Sequence, residues 1–168
     1  ILPICARCST CRPTPAEART TYGWALLLHV LVATIWTRGH LILALTILPR
    51  VLREQDVAGL LKFESAYERI GMPALLVQVI TGFWMAMQLQ PDHSQWLAFD
   101  NPVTRLIGIK LFLLLTTLAF ALDARFRVIP RLHQPGKLTD MAWHIVPVTL
   151  IGVLFVATGV SLRTGWLA

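Results

Sequence analysis

Charge is scarce in this chain. Only 14% of its 168 residues are charged, 55% are hydrophobic, and mean hydropathy is +0.62. Soluble domains carry about 25% charged residues, so this composition excludes an ordinary soluble protein and describes an integral membrane one. Cysteine is missing after residue 11: Cys5, Cys8 and Cys11 fall in a CARCSTC segment that has no fourth thiol. Their spacing suits a soft ion such as Cu(I). Pro13 and Pro15 follow directly, however, and residues 1–21 read as a flexible leader outside one domain, 22–168. Internal repeats and low-complexity tracts that would suggest anything larger than that domain are also lacking. The first apolar run starts about twenty residues in and is longer than the core of a secretory signal, so it is not expected to be a cleavable one. The run is therefore expected to be a permanent helix. A net charge of +6 and a pI near 9.9 would suggest nucleic acid in a soluble chain. Here most basic residues lie between apolar runs, so the charge reads as membrane topology and no nucleic-acid partner is expected.

What is present is a set of four apolar runs. Helices are expected at about 22–50, 69–89, 102–124 and 142–163, each long enough to cross the lipid bilayer. Short connections then make sequential helices antiparallel neighbours, and the fold class is all-α, an integral membrane up-down four-helix bundle. Between the first two runs, Val51–Glu68 has the spacing of an amphipathic helix lying on the membrane surface. Pro73 falls in the first turn of the second run. Gly71, Gly82, Gly152 and Gly159 offer small surfaces for close helix approach. The first and third loops carry Arg50, Arg53, Lys62, Arg69, Arg125, Arg127, Arg131 and Lys137, whereas the second carries only Arg105. The basic side is expected to be cytoplasmic, with both termini periplasmic at a bacterial inner (plasma) membrane. Trp24, Trp96 and Trp166 would form an outer aromatic belt, and Tyr67 and Trp143 an inner one.

The polar residues inside the runs carry the chemistry. His29 and His40 are eleven positions apart, which returns to within about 20° of one direction, so they share a face some 16 Å apart. Ala33 and Trp36 lie between them on that face. Imidazoles within a bilayer usually face a bundle interior and mark a site. Counting depth along each run groups an inner pair, His40 with His144, and an outer set, His29 with Lys110 and Met85; Gln78 is central. Met85 and Met87 are 200° apart and cannot both face one site. His93 and His133 read as ordinary loop residues. Arg38 lies about 180° from the histidine stripe and suggests contact with a protein partner.

Three segments carry a family resemblance. LHVLVATIWTRGHL in the first run, RLIGIKLFLLL followed by RFRVIPRL in the third, and AWH opening the fourth resemble the CopD-like membrane proteins, related to the HemJ-type haem-containing protoporphyrinogen oxidases. Where the family usually reads W-x-G-G, this chain has Arg38 before Gly39. The resemblance implies a role in copper uptake or resistance at the inner membrane. The HemJ relation implies a functional pair of first-helix histidine and third-helix lysine, here His29 and Lys110. Three functions follow as expectations. The first is a b-type haem redox protein, a possible membrane oxidoreductase, passing electrons to quinone or another membrane redox partner. Its haem would lie against Trp36 between His40 and His144 as axial ligands, or at His29 and Lys110. The second is copper handling, with His29, His40, His144 and Met85 as metal ligands. The third is a non-catalytic subunit of a larger membrane complex, with Arg38 at the contact.

Overall fold

The computed structural model describes residues 14–132, 134 and 137–166. Cys5, Cys8, Cys11 and His133 lie outside the described residues. Thr14 starts the first helix by a capping box: its hydroxyl accepts from the Glu17 N–H, and the Glu17 carboxylate accepts from the Thr14 N–H at 2.8 Å. Helix α1 (Pro15–Ile42) therefore begins seven residues before Tyr22, and residues 15–21 are helical rather than part of a flexible leader. It runs through a π-helical turn, Leu43–Ile47, into α2 (Leu48–Glu54), making one rod of 40 residues. Pro49, which cannot donate to the carbonyl four residues back, comes two residues after that π turn. The pattern repeats after α4 (Pro102–Asp123), where a π turn at Ala124–Val128 precedes Pro130.

Gln55, in the left-handed region at φ 55°, ends the first rod, and Asp56 caps α3 (Val57–Leu89) by accepting from the Gly59 N–H at 2.8 Å. The segment expected to lie separately on the membrane surface is instead mostly the beginning of this 33-residue helix. Nothing between Val57 and Ile70 breaks a helix, and Leu60 is completely buried. Pro73 consequently sits in mid-helix instead of a first turn, and α5 (Lys137–Thr164) likewise contains Pro147. Asn101 caps α4 reciprocally with Thr104.

All four rods are long and apolar enough to cross a membrane, and among the described residues there is no strand. The chain is an all-α, multi-pass, four-helix membrane bundle. Its packing order departs from the expected one: α1 packs against α3 and α5, α4 packs against α5, and α3 makes no comparable contact with α4. The connection between α3 and α4 explains this, because it folds back against both. Trp96 is buried there, donating from Nε1 to the Gln90 carbonyl at 2.8 Å and packing on Phe83, while its own carbonyl approaches Gly108 of α4. It is a wedge and not part of an outer aromatic belt; Trp24, Trp143 and Trp166 are exposed as a belt requires. Tyr67 also turns inward. The apolar core lies at the basic end, where Leu43, Leu48, Val51, Leu60, Val128 and Ile145 cluster.

Candidate functional site

Toward the opposite end, α1 and α3 build a polar cluster. His29 of α1 faces Thr81 and Gln78, which lie three residues apart on the facing side of α3. The Thr81 hydroxyl donates to the Val77 carbonyl at 2.7 Å, so its oxygen is the acceptor for the His29 Nδ1–H at 2.8 Å. That bond fixes the tautomer and leaves Nε2 with its lone pair. The lone pair faces the Gln78 amide nitrogen at 2.9 Å. The other end of that amide, Oε1, is buried without a hydrogen-bond partner among the described residues. Leaving such an atom unbonded costs about 1–3 kcal/mol.

Lys110 of α4 lies against Gly159 of α5, and no carboxylate among the described residues forms an ion pair with it. Glycines make room for both groups. A Cβ at Gly82 would come within 3.2 Å of the His29 ring, and one at Gly159 of α5 would lie 3.9 Å from the Lys110 amine. Met85 is buried one turn further along the Gly82 face, whereas Met87 is 39% exposed.

His40 belongs to a different cluster. Its Nδ1–H donates to the Trp36 carbonyl at 3.1 Å, and the Tyr67 hydroxyl donates to the same oxygen at 2.8 Å. Trp36 lies 4.2 Å from the imidazole, centroid to centroid, and its ring edge reaches Gly152 of α5. Tyr67 fits because Gly39 and Gly71 have no side chains; a Cβ at Gly39 would overlap the phenol ring. The second glycine of the family pattern thus retains its close packing, while Arg38 beside it is exposed and has no ion pair among the described residues.

His40 and His144 do not come together. His40 meets α5 at Thr149, whose hydroxyl approaches the His40 carbonyl at 3.2 Å. His144 is five residues earlier, about 7.5 Å nearer the basic end and about 140° around the helix. It faces α4 instead, with Nδ1 on the Asp140 carbonyl and Nε2 on the Asp123 carboxylate, both at 2.8 Å. Counting depth along a helix cannot supply that rotation. Thr81, Tyr67 and Asp123 were not among the expected site residues. The spacing of Gln78, Thr81, Gly82 and Met85 by three and four is the sequence signal that points to one α3 face.

No group of three or more His, Cys, Asp or Glu side chains suited to a metal ion occurs among the described residues. A family model for copper resistance protein D matches residues 61–162, from early α3 to the last turn of α5. Lys110, Met85 and His144 lie within the match, and His29, Trp36 and His40 precede it. Neither the curated proteins nor the solved structures compared give a significant match. The matched segment covers more than half of the sequence, and the chain belongs to the copper resistance protein D family.

Proposed function

We propose that this chain is a membrane redox protein that holds a b-type haem at the outer cluster, with His29 and Lys110 as nitrogen donors. The observation that carries the reading is the 2.8 Å contact between His29 Nδ1 and the Thr81 hydroxyl: with that hydroxyl donating to the Val77 carbonyl, the ring proton belongs on Nδ1 and the Nε2 lone pair faces Gln78. A ligating histidine needs such an orienting hydrogen bond. The surroundings fit as well. Two nitrogen donors come from different helices, the missing side chains of Gly82 and Gly159 admit the His29 ring and the Lys110 amine, and the Gln78 amide, whose Oε1 is unbonded among the described residues, is free to turn. When bound, haem supplies reversible one-electron chemistry. The chain's own part is to orient His29 through Thr81, to place Lys110 beside it and to exclude water with four apolar spans; the electron partner would be a quinone or a membrane redox protein. The basic end is proposed to face the cytoplasm, and a reporter fused at Asp56 that is active only outside would reverse this orientation.

The test is the reduced-minus-oxidised spectrum of protein purified in detergent. Haem bands should be present, should be lost in His29→Ala and Lys110→Ala, and should survive in His144→Ala. Colourless wild-type protein would sink the reading. Copper handling is the second reading, favoured by the family's description and by His29 with Met85 as nitrogen and thioether donors. It predicts colourless protein whose Cu(I) binding is lost in His29→Ala and Met85→Leu. A subunit role rests on Arg38, an exposed charge near mid-span with no ion pair among the described residues. It predicts that Arg38→Leu releases a co-purifying partner.

A further inference from the structure

A cleft of about 320 Å³ opens at the basic end, between the end of α4 and the start of α5. Arg127, Arg131, Lys137, Trp143 and His144 line it, together with two carboxylates. Both carboxylates are already matched: Asp123 by Arg127 at 3.0 Å and His144 at 2.8 Å, Asp140 by Lys137 at 2.6 Å. Arg131 pairs with no carboxylate among the described residues, so the cleft keeps a positive charge that nothing in it balances.

A second groove, of about 220 Å³, starts from the same Asp123 and His144. It follows α4 past Phe120 and Ala119 to Thr116, nearly two turns or roughly 10 Å toward the membrane middle. Its walls there are apolar apart from the Thr116 hydroxyl, which is spent on the Phe112 carbonyl. Trp143 stands beside the cleft, 72% exposed, where an amphipathic ring sits at headgroup depth. A cationic pocket at the interface that leads into an apolar track has the outline of a lipid and not of a free anion.

We propose that the joined cleft and groove bind one anionic phospholipid, with its phosphate at Arg127, Arg131 and Lys137 and one acyl chain along Ala119 and Phe120. The site shares no residue with the His29 cluster, so it stands whatever that cluster holds. Basic groups between membrane helices attract anionic headgroups at about tenfold or less per residue.

Native mass spectrometry of the full chain in detergent tests this, using phosphatidylglycerol, phosphatidylcholine and inorganic phosphate as probes. Wild-type protein should retain one phosphatidylglycerol and hold phosphatidylcholine roughly tenfold less. The double variant Arg127→Gln/Arg131→Gln should lose that preference. Should it fail to fold, Arg131→Gln alone carries the test, since that side chain has no ion pair among the described residues. Ala119→Trp fills the groove without touching a charge; it should weaken phosphatidylglycerol retention and leave inorganic phosphate binding unchanged. Equal retention of both lipids overturns the proposal. So does full retention in Ala119→Trp with displacement by inorganic phosphate, which would mark a free-anion site. Displacement of the lipid by a short-chain quinone that still binds the double arginine variant would assign the groove to quinone and overturn it too.

Discussion

His29 and His144 are both half-buried histidines with both ring nitrogens engaged, and the partners make them opposites. His144 is given a carbonyl on one side and a carboxylate on the other, so each nitrogen faces an acceptor. His29 is given one acceptor, Thr81, and one donor, the Gln78 amide, so one of its nitrogens keeps a lone pair. Residue type is the same in the two places. The neighbour that offers or withholds a hydrogen decides what each ring can do.

The comparison can be broken at Gln78. Gln78→Glu would give His29 the kind of partner that His144 has, and should lower haem occupancy more than tenfold by setting an acceptor against Nε2; the haem-to-protein absorbance ratio measures it. Unchanged occupancy would mean that Nε2 is not the ligand atom. Thr81→Val tests the other nitrogen. It preserves shape but removes the orienting oxygen, and cofactor affinity should fall about tenfold, read by haem transfer to a competing apoprotein. A third histidine environment sharpens the contrast, because His40 is held by packing. Gly39→Ala should push Tyr67 off the Trp36 carbonyl and cost about 1–3 kcal/mol. Thermal unfolding in detergent would register that loss, with Gly23→Ala, where nothing lies within 4 Å, as the silent control. The smallest effect belongs to Asp123→Asn, which loosens His144 at a position open to water. It should leave the spectrum unchanged and lower the melting temperature slightly; a lost haem band would return His144 to the ligand set.

Much of the architecture was legible because hydropathy records what lipid requires. The four spans appear as four runs. Depth along each span was legible too, since rise per residue is constant. Rotation about the axis was not. His40 and His144 were drawn together by depth alone, and their separation comes from which α5 face meets α1. Tyr67 and Trp96 were assigned to aromatic belts because their sequence positions lie near span ends. The glycines that admit Tyr67, and the back-folded connection that buries Trp96, depend on partners distant in sequence.

The π turn at Leu43–Ile47 has a consequence for how the chain can vary. Deleting one residue from an ordinary helix swings every later side chain by about 100° and would carry Leu48 and Val51 out of the core. A π turn already contains one residue more than an α turn, so removing one there would restore regular winding and return those side chains to nearly their present direction. The first rod can therefore change its length by one residue at this place while the histidine face on one side and the core face on the other keep their partners. Pro49 would then lie in uninterrupted helix, the conflict that the longer turn now relieves.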